Sequence, residues 1–413
     1  MTTTTAPVPP VRHDATLIGL VGTAHLISHF SQLLLAPLFP WLKEAFDVSY
    51  AELGLLMSIF FVVSCVVQAL SGFVVDRVGP RPVLFGGLTL LGLAAFGFAT
   101  SGSYAMLAAW SVVAGAGNGV FHPVDYTLLN RKVHPSRLGH AFSMHGIAGS
   151  LGWALAPAML VPLTLAYGWR VALMGAGALA FAVLVLLIAN RSQLALDTTA
   201  VRPAHAHAES GHIEGSMEFL KLPAVWMCFG FFLFYAMALS GVQAFAPEAA
   251  RMLHLVPVNV TAMCLTIYMV CSASGMVIGG FLASDPARCE RIIGAGMGLA
   301  ALVALTIGFA NIPPLSVPIL FGVMGLGAGM AGPSRDLIVK RAAPANATGR
   351  VYGVVYSGLD IGQAVAPVMF GSLMDLHQPA LVWLGIAAVQ GVLIVSAFNV
   401  RKVRRTPLAP RPA

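Results

Sequence analysis

The chain has unusually few charged residues. Asp, Glu, Lys and Arg make up 9% of its 413 residues, against about 25% in a typical soluble domain. Hydrophobic residues reach 58% and come in blocks of about 20, the length that crosses the hydrocarbon core of a bilayer. These blocks cannot all be buried inside a water-soluble core. The composition therefore excludes an ordinary soluble enzyme.

Cysteine is scarce as well, and the common catalytic motifs are missing. The five cysteines form no CxxC pair, so we expect neither a disulfide framework nor a zinc site. The sequence has no nucleotide-binding GxxxxGK[ST] loop, no HExxH and no nucleophile elbow, and we identify no i, i+4 ligand pair with a third partner. The N-terminus lacks the features of a signal peptide. We therefore predict no enzymatic activity, no cofactor and no metal site.

The apolar blocks predict an all-α polytopic membrane protein with twelve transmembrane helices. A membrane β-barrel would show alternating strands of about ten residues instead. The first six segments lie near 15–40, 50–74, 83–101, 104–130, 138–164 and 170–189. The other six lie near 223–247, 258–283, 292–311, 315–340, 350–373 and 380–399.

The basic residues predict the orientation of these spans. The net charge is +7, but Lys and Arg are dispersed between apolar blocks, so no nucleic-acid partner is expected. Nineteen of the 23 lie on one side of the spans, and only Lys43, Arg170 and Arg251 on the other. Because positively charged loops stay in the cytoplasm, we predict that both termini are cytoplasmic, with the protein in a bacterial inner membrane.

The same pattern divides the chain into segments. We predict a cytoplasmic N-terminal tail at 1–14, six-helix bundles at 15–190 and 222–400, a polar cytoplasmic linker at 191–221 and a basic cytoplasmic tail at 401–413. His205, His207 and His212 of the linker could bind a metal ion, although solvated side chains are the simpler interpretation.

The two halves resemble each other at an offset of 210 residues. Eleven identities fall within 45 ungapped positions. Residues Gly115, Gly117, Gly119, Pro123, Arg131, Gly139, Gly152, Ala154, Ala156, Pro157 and Met159 pair with Gly325, Gly327, Gly329, Pro333, Arg341, Gly349, Gly362, Ala364, Ala366, Pro367 and Met369. Such repeats are typical of transporters. We expect two pseudo-symmetric six-helix bundles around a central cavity.

The strongest motif follows the second span. Gly72, Asp76, Arg77, Gly79 and Arg81 have the form GxxxDRxGxR, which resembles the loop 2–3 signature of the major facilitator superfamily. The resemblance implies a gating loop in which Gly72 permits close helix approach. It also implies that Asp76 complements the N-terminus of span 11, forming a cytoplasmic latch with Arg350.

Further motifs resemble the fosmidomycin-resistance branch of that superfamily. They are His25, the Phe121-His122-Pro123 step and the glycine series from Gly146 to Gly152. In that branch an acidic residue stands at the position of His29, and Glu follows the His-Pro step where this chain has Val124 and then Asp125.

Four charged residues lie within predicted spans: Asp125, Arg335, Asp336 and Asp360. Such groups cost a few kcal/mol in lipid and usually serve function. We interpret them, with His25, His29 and His122, as residues for substrate binding or proton coupling. Asp125 and Arg335 are equivalent in the repeat and could form a gate. Each assignment has a structural alternative. Arg335 could form a permanent ion pair with Asp336 or Asp125 that holds helices together, Asp360 could only hydrogen-bond a neighbouring helix, and the histidines could be hydrogen-bonded packing residues.

These features predict a secondary active transporter that works by alternating access. We expect a proton-coupled antiporter for efflux of a small organic compound or drug, with the substrate, protons and the lipid bilayer as partners and a monomer as the assembly. Proton-linked uptake of a small carboxylate or other organic anion is the alternative, with Arg335 as the main substrate contact. Exchange without net proton movement is also open, whereas a polytopic membrane enzyme and a channel are less consistent with the pattern.

Overall fold

The protein is helical throughout the part of the chain that is described. The structure is a computed structural model that describes residues 11–196, 223–282, 288–342 and 348–404. The first eight α-helices are α1 (Val11–Gln32), α2 (Phe39–Phe46), α3 (Tyr50–Val78), α4 (Pro80–Thr100), α5 (Tyr104–Asn118), α6 (Phe121–Lys132), α7 (Leu138–Tyr167) and α8 (Trp169–Ala189). The remaining seven are α9 (Pro223–Ala244), α10 (Ala246–His254), α11 (Val258–Leu282), α12 (Cys289–Phe309), α13 (Val317–Ala342), α14 (Thr348–Asp375) and α15 (Pro379–Arg404).

The helices agree with the predicted spans. Among the described residues, eleven stretches are long and apolar enough to cross a membrane, and each falls on a predicted segment. The twelfth segment corresponds to α14, which has 28 residues and carries Asp360 and Gln363 among its apolar side chains. The prediction of an all-helical membrane protein is confirmed.

Local sequence explains several helix ends. Pro80 is the first residue of α4, a position where proline loses no intrahelical hydrogen bond. The residue before it, Gly79, has φ 84° and ψ 161°, a conformation that is essentially restricted to glycine. Ser103 caps α5, because its hydroxyl accepts a hydrogen bond from the Met106 N–H.

The predicted fourth and tenth spans differ in continuity. The fourth span consists of two helices, since α5 ends at Asn118 and α6 begins at Phe121. The tenth span is the single helix α13, which continues through Pro333. The repeat therefore preserves positions along the chain but not the continuity of the helix.

The first compact unit comprises Met1–Leu34 and Val63–His207. In its described part, α1 packs against α7 and α4 packs against α8. The core between these helices contains Leu17, Leu88 and Phe121.

The second compact unit comprises Leu35–Val62 and Ala208–Ala413. Here α11 packs against α13, and α9 packs against α14. Phe232, Met297 and Val355 belong to its core. The unit includes the first part of α3, whose Tyr50 and Ala51 N–H groups donate hydrogen bonds to Asp375 at 2.7 and 2.8 Å.

The chain ends differ from the predicted boundaries. Helix α1 begins at Val11 and α15 ends at Arg404, so part of each predicted tail is helical. Asp14, placed in the polar tail by sequence, is 1% exposed and forms an ion pair with Arg137 at 2.6 Å. The predicted linker from residue 197 onward and the tail from residue 405 onward lie outside the described residues. The bundle boundaries at 15–190 and 222–400 stay predictions.

Glycines of the repeat lie where helices approach most closely. A Cβ added to Gly119 would overlap the carbonyl oxygen of Ser64 in α3. A Cβ added to Gly329 would overlap the carbonyl oxygen of Ser272 in α11. In each unit, a glycine at the same repeat position lets two helix backbones touch.

Candidate functional site

Three helices of the first unit bring five ionisable side chains together. Helix α1 supplies His25 and His29, one turn apart on the same face. Helix α6 supplies His122 and Asp125, and α7 supplies His145. We call these five residues the histidine cluster.

Asp125 contacts two imidazoles of the histidine cluster. Its side chain is 0% exposed. Its Oδ2 lies 3.1 Å from Nε2 of His145 with the geometry of a hydrogen bond, and 3.0 Å from Nδ1 of His25 without that alignment. A carboxylate buried in an apolar protein needs such partners, because an isolated buried charge is costly.

The remaining imidazoles, those of His29 and His122, lie close to the ring of His25. The ring centroids are 4.4 Å apart for His25 and His29, 5.3 Å for His25 and His122, and 6.2 Å for His29 and His122. Nδ1 of His122 lies 2.7 Å from Oε1 of Gln68, an oxygen that can only accept, so this nitrogen is the donor. Neither ring nitrogen of His29 has a hydrogen-bond partner among the described residues; the Gly149 backbone approaches the ring without that geometry.

A chain of polar side chains adjoins the cluster. The hydroxyl of Ser28 donates to Oδ1 of Asn118 at 2.7 Å. Asn118 in turn donates to the hydroxyl of Ser64 at 2.8 Å. These contacts join α1, α5 and α3 within the first unit.

In the second unit, Arg335 of α13 stacks on two aromatic rings of α9. Its Cζ lies 4.4 Å from the ring centroid of Tyr235 and 4.9 Å from that of Phe232. Stacking of this kind attracts a cation to the ring face, and guanidinium is the group whose planar set of N–H donors matches carboxylates and phosphates. Asp360 of α14 is half-buried. The side chain of Asp336 lies outside the described residues.

The predicted site residues therefore fall into two groups. His25, His29, His122 and Asp125 are assembled in the first unit, while Arg335 and Asp360 belong to the second. The predicted gate between Asp125 and Arg335, and the roles of all these residues in substrate binding or proton coupling, stay predictions.

The gating motif occupies a helix end rather than an extended loop. Helix α3 continues through Asp76 and Arg77, both exposed, and only Gly79 separates it from α4. A Cβ on Gly72 would meet no described atom within 4 Å, so the expected close approach is not seen in this part of the structure. Arg350 has its side chain outside the described residues, and the latch with Asp76 stays a prediction.

A second polar network in the second unit was missed from the sequence. Glu248, 5% exposed, accepts a hydrogen bond from Tyr50 at 3.0 Å and two from Arg251 at 2.7 Å each. These hydrogen bonds raise the pKa of the Arg251 guanidinium above its ordinary value. The available signal was an acidic residue close to an apolar span, but its partner Tyr50 is 198 residues away.

One statement made from the sequence is wrong. His25 and His29 are an i, i+4 pair of ligand type with a third partner, because ligand atoms of His25, His29 and His122 all lie within 4.8 Å of one another. The same holds for His25, Asp125 and His145. Sequence alone did not reveal the third member, because α6 is almost a hundred residues from α1.

A polytopic helical fold with ionisable side chains on its spanning helices is typical of integral membrane transporters. The sequence profile of the Major Facilitator Superfamily matches residues 21–367, and a further match covers 254–413. The chain belongs to this superfamily, as the sequence motifs predicted. Its relatives and its fold are those of transporters rather than of enzymes.

Individual relatives cover the chain to different extents. The fosmidomycin resistance protein of Escherichia coli is 27% identical over 160 residues, which is 37% of this chain and 37% of that protein. A probable L-galactonate transporter of Escherichia coli is 23% identical over 420 residues, covering 94% of this chain and 92% of the relative.

A solved structure shares the fold. A bacterial homolog of the human lysosomal transporter Spinster, in an inward-facing and occupied conformation, superposes with a TM-score of 0.75. It is 14% identical in sequence, and the match covers 96% of this chain and 98% of that one.

Proposed function

We propose that this transporter exports a small organic compound in exchange for protons, as an antiporter in a bacterial inner membrane. The observation that carries the proposal is the guanidinium of Arg335 held against Tyr235 and Phe232 on spanning helices. A permanent cation on a spanning helix is costly, and such residues usually serve function. The fosmidomycin resistance protein among the relatives supports export.

Asp360 is the proposed coupling residue. It is a half-buried carboxylate on α14, and a carboxylate can be charged in one state of a cycle and neutral in another. With Arg335 permanently charged, the second unit has one group suited to an anionic cargo and one suited to a proton. Any mechanism that couples cargo to a proton, in either direction, requires this division of roles.

Proton-linked uptake of an organic anion is the second candidate. The same Arg335 favours it, because guanidinium binds a carboxylate through two parallel hydrogen bonds. The probable L-galactonate transporter among the relatives carries, by its name, a sugar acid.

Flux into proteoliposomes separates the two candidates. Full-length protein is reconstituted, a pH gradient is imposed, and movement of fosmidomycin and of L-galactonate is followed. An antiporter accumulates the solute on the acidic side, whereas a symporter moves it to the alkaline side. The protein must first be shown to exchange a probe when the pH is equal on both sides. If flux of both probes is then unchanged by the pH gradient, proton coupling is contradicted.

Asp360→Asn tests the coupling residue. We expect the variant to retain exchange at equal pH but to lose accumulation driven by the gradient. Asp47→Asn is the matched control, because Asp47 is an exposed carboxylate at a helix end and should leave both measurements unchanged. Equal gradient-driven accumulation in the two variants would remove Asp360 from the proposal.

A further inference from the structure

The histidine cluster has the construction of a transition-metal site. His25 presents its Nδ1 to Asp125 at 3.0 Å, and His122 presents its Nδ1 to the amide oxygen of Gln68 at 2.7 Å. Metal-binding histidines are held in this manner, with one ring nitrogen directed to a carboxylate or amide oxygen and the other facing the ion. In both residues this leaves Nε2 as the coordinating atom.

The third histidine supplies an independent observation. Both ring nitrogens of His29 are buried without a hydrogen-bond partner in the described chain, a costly arrangement for a polar side chain. Nδ1 of His29 and Nε2 of His25 lie 2.8 and 3.2 Å from the point where a Cβ on Gly149 would stand. The missing side chain of Gly149 thus keeps the space between two imidazoles open.

From this geometry we infer that His25, His29 and His122 bind one divalent first-row transition-metal ion of the zinc class, with Asp125 and Gln68 as positioning residues. Imidazole nitrogens suit zinc, cobalt and nickel, whereas magnesium and calcium require oxygen ligands. The buried carboxylate of Asp125 offsets part of the charge of the ion. Nothing in the transport proposal requires this site.

The distances fit a single ion. Zinc–nitrogen bonds are about 2.1 Å, so two imidazoles on one tetrahedral ion have ring centroids about 5 Å apart. The three observed separations are 4.4, 5.3 and 6.2 Å, and they lie on both sides of that value. The ligand atoms lie within 4.8 Å of one another, so the side chains reach bonding distance by rotating toward a shared centre.

Binding would fasten α1 to α6. His25 and His29 belong to α1 and His122 belongs to α6. One ion bound to all three therefore replaces several weak ring contacts with three strong bonds. Because a preformed site rarely exists in an unfolded chain, the ion stabilises the folded state. The expected consequence is a higher melting temperature in the presence of Zn²⁺.

The test measures binding rather than transport. Full-length protein is purified in detergent with a tag that contains no histidine, in a background where His205, His207 and His212 are replaced by Asn. Calorimetry with Zn²⁺ should give one ion per chain. Co²⁺ should produce the visible absorption of an imidazole-bound ion, and excess Mg²⁺ should not displace it.

Variants assign the site to the cluster. His29→Asn and His122→Asn should each lower the affinity for Zn²⁺ by more than about 100-fold. Gln68→Ala, which removes the acceptor of His122 and keeps every imidazole, should lower it by about 10- to 100-fold, as outer-shell changes do. His140→Asn is the matched control, because His140 is exposed on α7.

Two results would overturn the inference: no saturable uptake of Zn²⁺ or Co²⁺ by protein that elutes as a folded species, or equal affinity in His29→Asn and His140→Asn. If His29→Asn does not fold, Gly149→Ala makes the same comparison, because it retains every imidazole and fills the space between two of them. Since the measurement is binding, either result leaves the flux experiment to decide the transport proposal.

Discussion

The two compact units use the same repeat positions for the same packing task. Gly119 and Gly329 each stand against a carbonyl oxygen of a neighbouring helix, Ser64 in one unit and Ser272 in the other. One helix further along the chain, Gly152 and Gly362 stand against the carbonyl oxygens of Leu26 and Leu233. The repeat seen in the sequence is therefore a repeat of backbone contacts.

The chemistry at equivalent positions has diverged. At the offset of 210 residues, Asp125 corresponds to Arg335 and His25 corresponds to Tyr235. In the first unit the acidic residue contacts the imidazole, and in the second the guanidinium stacks on the phenol ring. The same two positions therefore contact each other in each unit, and the charged member is acidic in the first unit and basic in the second. A duplicated scaffold has kept its contacts while the residues that make them specialised.

The largest effect on stability is expected for the two repeat glycines, Gly119 and Gly329. Gly119→Val and Gly329→Val should each destabilise the protein by about 3 kcal/mol, the upper range for overpacking a core, because a side chain must displace a helix backbone. Gly146→Val is the control, since a Cβ there meets no described atom within 4 Å. Thermal unfolding in detergent gives the ranking. Equal melting temperatures for Gly329→Val and Gly146→Val would contradict the shared packing role.

Substitution of Asp125 is expected to have an intermediate effect on stability, through contacts within the first unit. Asp125→Leu removes the oxygen that is hydrogen-bonded to His145 and lies 3.0 Å from His25, and loss of a partner costs about 1–3 kcal/mol for a buried polar group. Asp125→Asn retains one acceptor oxygen and should recover part of the loss. Melting temperatures of the two variants check this order; if Leu is tolerated as well as Asn, the carboxylate does not support the imidazoles.

Substitution of Arg335 is expected to have a small effect on stability and a clear effect on substrate selectivity. Arg335→Lys keeps the charge but loses the planar group that stacks on Tyr235, which costs about 0.5–1 kcal/mol. Its single ammonium cannot form the two parallel bonds to a carboxylate. We expect nearly unchanged melting and reduced flux of whichever probe, fosmidomycin or L-galactonate, the unsubstituted protein transports in proteoliposomes. Full flux with the lysine variant would show that only the charge matters.

The sequence predicted the elements of the fold well and the site in part. Segment lengths located the spans, since about 20 apolar residues in lipid leave few alternatives to a helix. The glycine spacing predicted the repeat, because close backbone contact tolerates no side chain. His25, His29, His122 and Asp125 were also identified, as ionisable residues within apolar segments.

Their arrangement was not predictable from one sequence. The contact between Asp125 and His145 depends on the packing of α6 against α7, and the stacking of Arg335 depends on α9, about a hundred residues earlier. Asp14 was assigned to a tail because its partner Arg137 is 123 residues away. The local sequence pattern shows which face of a helix is apolar. It does not show which other helix packs against that face.

The contact of Asp375 with the start of α3 bears on how the chain is made. The N–H groups of Tyr50 and Ala51 receive their acceptor from a residue more than 320 positions later. During synthesis, this helix end enters the membrane long before the ribosome reaches the carboxylate that completes it. A chain that stopped before Asp375 would leave the N–H groups of Tyr50 and Ala51 without the carboxylate that caps this helix start in the folded protein.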